Sequence, residues 1–247
     1  QRSSYIESSI KKERQKIENI LKDLGYYNSS LNIQVDQSKN NLVSITYDID
    51  LGKKSRIKKI TFIGNKVFKD KKLRRIITST EYKFWKLISG RKFLNQNLVY
   101  LDERLLKNFY KNNGYYNVKI NSSFAKLIDD NNFELIFNID SGNKIYFGKL
   151  DLKLPADFDE NNFSSIKKLF KKIKGKPFSI NTIDKILDEI DLITTLEQYK
   201  FIKANVSETI NQNTINLQFS VEEGEKFYVN RINIAGNTIT TENVIRN

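Results

Sequence analysis
The chain has 247 residues, of which 39% are apolar, with 16 Phe and 12 Tyr, enough to bury the core of one large domain or of several small ones. Neither Cys nor His occurs, which excludes disulfides, thiolate nucleophiles, histidine metal sites and histidine-containing triads. The formal charge of +13 admits nucleic acid, an anionic membrane surface or acidic partners, although lysine is spread along the whole chain beside the Asn and Ile of an A/T-biased genome.

The first helix is marked by Ile6, Ile10, Ile17, Leu21 and Leu24 and stops at Gly25 in "KDLGYYNSSLNIQV", with two strands expected before Gly52. A short strand follows, with Ile57, Ile60 and Phe62 apolar, closing on Gly64-Asn65. Next comes a helix in "DKKLRRIITS", where Asp70 can cap and Leu73, Ile76 and Ile77 form a stripe. After the insertion "EYKFWKLISGRKF", a second helix with Leu98, Leu101, Leu105 and Phe109 stops at Gly114 in "KNNGYYNVKI". A hairpin is then expected: Val118, Ile120 and Phe124 alternate, "DDNN" turns, and Phe133, Leu135, Phe137 and Ile139 alternate back. The remaining text repeats this order. "IKKLFKKIKGK" carries Ile166, Leu169, Phe170 and Ile173 on one face and lysines on the other, and Ile183, Ile186, Ile190 and Ile193 form the second helical stripe.

The markers recur with a fixed period. The corner at Gly25 returns at Gly114, and in degenerate form at Gln198-Tyr199. Glycines 52, 142 and 224 form a second series, and "ITFIGNKVF" is echoed by "INIAGNTIT" near Gly236. The middle copy departs from the pattern, with "DLKLPADF" in place of Gly-Asn and Gln198 in place of the corner glycine. The reading is an α+β chain of tandem β-α-α-β-β units. In each, a three-stranded mixed sheet is covered on one face by two helices. The units span 54-142 and 143-225, with a partial unit (second helix and last two strands) at 1-53 and the start of another at 226-247. Joints of a few residues imply end-to-end packing.

A repeat of this length, with "GYYNVKI" ending the second helix, "IDSGNKIYFG" leaving the third strand and "ITFIGNKVF" opening the next unit, resembles the POTRA-domain region of the BamA family of outer-membrane protein assembly factors. The stretch from "LRRIITSTEYKFWKL" to "GYYNVKI" is similar to alphaproteobacterial members in particular, and TamA-like relatives share the module. The resemblance implies the periplasmic portion of an outer-membrane protein of a Gram-negative bacterium, without enzymatic activity or cofactor. Its implied partners are accessory lipoproteins of the assembly complex, unfolded outer-membrane proteins, and a membrane β-barrel of the same protein lying outside this chain. It also implies β-strand augmentation at an exposed sheet edge, which the residues support because backbone pairing accepts many sequences. By resemblance that edge is Asn117, Val118, Lys119, Ile120, Asn121, Ser122, Ser123 and Phe124. The insertion residues Phe84, Trp85, Lys86 and Arg91 form a candidate partner loop. Gly25, Gly52, Gly64, Gly114, Gly142 and Gly236 are structural turns, and the lysine face of "IKKLFKKIKGK" is a candidate contact for an anionic membrane surface.

No phosphate-binding loop or nucleophile elbow is present, and the acidic pairs Asp129-Asp130 and Glu222-Glu223 fall in expected turns. No run of 18 apolar residues occurs and no leader pattern opens the chain, so any targeting or membrane-embedded part is expected outside it. The alternative reading is a basic nucleic-acid-binding tandem module. The tyrosines of "GYYN" sit at a corner instead of mid-sheet and no RNA-binding signature is present, so nucleic acid is not expected as a partner.

Overall fold
The computed structural model describes residues 7–38, 42–83, 92–199 and 202–223. Among these residues three sheets follow one another in chain order. The first is a ribbon of β1 (Ser30–Ser38) and β2 (Leu42–Asp50), antiparallel, beside helix α1 (Glu7–Asp23), whose Arg14 donates to the Leu31 carbonyl at 2.6 Å. Leu21 and Leu31 are its buried apolar side chains, while Val35, Tyr47 and Ile49 stay exposed.

The second sheet has the order β3-β5-β4, built from β3 (Arg56–Asn65), β4 (Lys119–Asp129) and β5 (Asn132–Asp140). β5 runs parallel to β3 and antiparallel to β4, so the sheet is mixed, as a hairpin followed by a helical crossover requires. Helices α2 (Asp70–Ile76) and α3 (Gln96–Lys111) cover one face. Ile57, Ile60 and Phe62 are buried, the spacing of three between the first two being absorbed by a register shift at Ile57/Lys59. Phe62 and Phe137 stack across the parallel pair at 5.6 Å, and Leu73, Leu106 and Tyr110 close the core from above.

Two details differ from the sequence expectation. In α3 the face against the sheet is Val99, Asp102, Leu106 and Tyr110, not Leu98, Leu101, Leu105 and Phe109, which are half-buried on its flank. A carboxylate in the inner stripe disguises it. Asp102 is buried because its Oδ1 accepts from Thr78 N at 2.6 Å and Ser79 N at 3.2 Å, tying down the loop after α2. Asp70 opens α2 instead of capping it; the N-cap is Lys69, and Asp70 pairs with Lys66.

The third sheet repeats the plan in the order β6-β8-β7, with β6 (Tyr146–Lys153), β7 (Ile202–Asn211) and β8 (Thr214–Glu223). A 3-10 turn (Glu160–Phe163) leads into α4 (Ser164–Ile173), followed by α5 (Ile180–Leu196). Ile166, Phe170 and Ile173 of α4 and Ile183, Ile186, Ile190 and Ile193 of α5 are buried against Phe147, Leu217 and Phe219. The diverged "DLKLPADF" turns without Gly-Asn, through a Phe158 N to Pro155 O bond at 3.2 Å.

Candidate functional site: sheet edges and joints
A three-stranded sheet has two edges, and the second sheet treats them differently. The outer edge of β3 is occupied. Glu81 Oε1 accepts from Ile60 N at 3.0 Å, Arg74 Nη2 donates to Ile60 O at 2.8 Å, and the two side chains pair with each other at 3.3 Å. Tyr82 N donates to Ile57 O at 2.6 Å and Leu94 N to Ser55 O at 3.0 Å. Side chains and loop backbone thus take the place of a fourth strand. β4 pairs with β5 alone, and its other edge has no backbone partner among the described residues.

β4 starts at Lys119, so Asn117 and Val118 lie in the turn after the corner, Val118 buried and donating to Tyr115 O at 3.3 Å. Lys119, Ile120, Asn121, Ser122, Ser123 and Phe124 are on the strand, which continues to Asp129. Register shifts at Ile120/Ser122 and Leu127/Asp129 bracket an uninterrupted stretch from Ser122 to Leu127. The first shift also reverses the expected alternation. Ala125 packs on the core and Ser123 reaches Glu103 of α3, so Phe124 faces away from the helices, 46% exposed, while Leu127, paired with Phe133, lies on the helix side of the sheet and is 52% exposed. On that outer face Glu134 is bound by Lys59 at 2.8 Å and Thr61 Oγ1 at 2.6 Å. The Lys59 bond, then the Thr61 bond, hold its carboxyl below the usual range.

The third sheet also has one occupied and one open edge. Backbone of 175–178 runs along the start of β6, with Gly175 N donating to Phe147 O at 2.7 Å and Phe147 N to Lys176 O at 2.9 Å, while β7 pairs with β8 alone.

The corner glycines turn out to be joints between successive sheets. Gly25 O accepts from Ser55 N and Gly114 O from Ile145 N, both at 2.8 Å. Each accepting glycine lies in the left-handed region, at φ 92° and 97°. The first tyrosine of each corner sits under a lysine two residues past the next turn glycine: Lys54 over Tyr26 at 5.0 Å and Lys144 over Tyr115 at 5.9 Å. The second tyrosine crosses the joint, Tyr27 to Phe133 at 6.0 Å and Tyr116 to Phe178 at 5.1 Å. Tyr116 also donates to Glu208 Oε2 at 2.6 Å, a bond that, before its partial burial, raises its hydroxyl pKa. Asn112 Oδ1 ties the same joint by accepting from Ser179 Oγ and Asn181 N. At the third corner Gln198 keeps the turn, at φ 59°, with Tyr199 N bonded to Thr194 O at 2.9 Å as Tyr115 N is to Tyr110 O at 3.0 Å. Gly52 and Gly142 each donate to the aspartate two residues before, and Gly64 also has positive φ.

Phe84, Trp85, Lys86, Arg91, Gly236 and the whole 226–247 segment lie outside the described residues. Among the described residues no group of three or more carboxylates could hold a metal ion, and no helix is long and apolar enough to cross a membrane, which says nothing of a β-barrel.

Mixed three-stranded sheets in the order 1-3-2, each under two helices and joined tail to head, define a class of tandem domain, and comparison with known proteins gives it a name. Residues 55–142 match the POTRA family, described as surface antigen variable number repeat. Among named relatives it is similar to the outer membrane protein assembly factor BamA of Neisseria meningitidis serogroup B, 28% identical over 90% of this chain and 28% of that protein. BamA of Buchnera aphidicola is 29% identical over 91% of this chain and 36% of that protein. The chain therefore spans about a third of the length of these relatives. Its fold is that of the crystal structure of Haemophilus influenzae BamA POTRA3-5, with a TM-score of 0.50 and 12% identity over 90% of this chain and 83% of that one.

Proposed function
We propose that the chain is the periplasmic POTRA region of an outer-membrane β-barrel assembly protein, binding accessory lipoproteins and unfolded barrel substrates ahead of a membrane β-barrel outside this chain. In this reading two complete units, 54-142 and 143-225, follow a partial unit at 1-53 and precede the start of another at 226-247. The work is binding and not catalysis. The relatives' name, outer membrane protein assembly factor, supports the role.

The observation that carries the mechanism is the unequal treatment of the two edges of the second sheet. With β3 closed by Glu81, Arg74 and Tyr82, an extended guest finds its unpaired N–H and C=O groups on β4. The regular stretch Ser122–Leu127 offers six residues of pairing, and Phe124 adds exposed apolar surface on the outer face for a barrel strand that alternates apolar and polar residues. A photo-crosslinking residue placed at Ser122 or Lys126 is expected to trap an unfolded barrel protein, and one at Ile63 on β3 is not. Adducts from Ile63 with none from β4 would overturn the edge assignment.

A further inference from the structure
Helix α4 has two unlike faces. Ile166, Phe170 and Ile173 are buried in the third core, so its apolar stripe is not free to enter a bilayer. Opposite them Lys167, Lys168, Lys171 and Lys172 occupy an arc of roughly 140°, from the rotation of about 100° per residue of a 3.6-residue turn. Lys174 and Lys176 extend the face beyond the helix end, and all six ammonium-bearing side chains are exposed. The segment 164–176 contains no carboxylate. Among the described residues only Lys167 of these six has an acidic partner, Glu160 of the preceding turn.

The carboxylates packed nearby do not neutralise this face. α5 carries Asp184, Asp188, Glu189 and Asp191, but Glu189 is engaged by Ser165 at 3.1 Å, and no α5 carboxylate pairs with an α4 lysine among the described residues. The segregation is local: one helix is wholly basic while its neighbour in the same unit is net acidic, which a chain-wide lysine bias would not produce. Lys167/Lys171 and Lys168/Lys172 stand at the i,i+4 spacing at which like charges repel, a cost that the fold does not need. The apolar stripe alone secures the helix.

We propose that this lysine face docks peripherally on an anionic phospholipid surface. Lysine's compact, hydrated ammonium suits a diffuse layer of headgroup phosphates, whereas strand-like nucleic acid is held on exposed aromatic platforms. Phe163, Phe170 and Phe178, the aromatic residues in and beside α4, are all buried. The contact is independent of strand docking at β4, and its assay contains no substrate protein, so either idea can fail alone.

The test is co-sedimentation of the 247-residue chain with vesicles. They contain roughly 30% phosphatidylglycerol in phosphatidylcholine at about 0.1 M salt, compared with pure phosphatidylcholine. K168S/K171S/K172S is expected to weaken binding about a hundred-fold, a factor of about five for each lysine at the surface. K12S/K16S/K22S on α1, with the same net charge, is expected to lose less than about three-fold. Equal losses in the two variants, or no preference for the anionic vesicles, would overturn the proposal. So would tighter binding of single-stranded DNA through the same three lysines. Should the α4 variant not fold, a salt series on the unaltered chain decides: release between about 0.05 and 0.3 M supports the contact, and indifference to salt refutes it.

Discussion

Replacing Gly114 by Ala tests whether the corner is a packed joint and not just a helix stop. Two costs are involved, and Gly175 separates them. Both glycines have positive φ, +97° and +77°, so either substitution carries about 1–2 kcal/mol of left-handed strain. A methyl group on Gly175 would meet nothing within 4 Å. On Gly114 it would lie 3.0 Å from Lys144 Cγ, 3.1 Å from Lys144 Cε and 3.2 Å from Pro177 Cβ, all in the following unit. The lysine stem can swing aside, but the proline ring, bridged to Tyr146, cannot without moving the strand beside it. Overpacking of this kind costs about 1–3 kcal/mol, so G114A should destabilise by about 2–5 kcal/mol and G175A by about 1–2. Urea unfolding followed by circular dichroism gives the two values. Residual dipolar couplings report whether the second and third sheets change relative orientation in G114A alone. Equal losses of stability with unchanged couplings would refute the joint.

Gln198→Gly removes the left-handed strain of the third corner without touching a contact, and should raise stability by about 1 kcal/mol in the same unfolding assay. Glu81→Ala leaves Ile60 N unpaired and unlatches β3, with an expected loss of about 1–3 kcal/mol and faster hydrogen exchange at Ile60. Burial, opposed by the Thr78 and Ser79 bonds, raises the Asp102 carboxyl above its ordinary 3.8, so the folded state binds this proton more tightly than the unfolded chain. Stability should therefore fall as pH rises from about 3.8 through the raised value and then level off, and the difference between wild type and Asp102→Asn should trace that segment alone. Tyr116→Phe keeps the ring on Phe178 but loses the Glu208 bond, with an expected cost below about 1 kcal/mol.

What the sequence conveyed well was whatever repeats. The Gly-Tyr-Tyr corners, the Asp-x-Gly turns and the apolar strands of β5 and β8 are local in origin, set by turn conformation and period-two alternation, and each is spelled more than once. What it concealed depends on partners far along the chain. Asp102 looks like a surface residue until Thr78 and Ser79 come to it from the other side of the loop. The bulge that turns Phe124 outward belongs to the pairing of β4 with β5, and nothing in "KINSSFAKL" announces which residue will be extra. The joints lay between these cases. Their residues were quoted as markers, yet their use, a glycine carbonyl offered to the next strand, becomes visible only when two units are placed end to end.

The latch on β3 and the joint are parts of one arrangement. The strand that opens each unit is the one whose outer edge must be closed, because it takes up the carbonyl of the preceding corner and holds the register between units. In the second unit Ser55 does both, donating to Gly25 and accepting from Leu94. In the third Ile145 does the same, donating to Gly114 and accepting from Phe178. Closure of this edge is therefore built into tandem connection, and the free edge falls to the second strand of each unit, β4 and β7. The two are not equivalent. β4 is kinked at two bulges and presents Lys119 and Lys126, whereas β7 runs through ten paired residues without a register shift and carries only Lys203. On the proposed docking a guest of six residues would fill the regular stretch of β4, and β7 would have room for a longer one. Peptides of about six and ten residues should therefore separate the two edges by length, with the added affinity of the longer peptide abolished by a proline in β7 and left intact by one in β4.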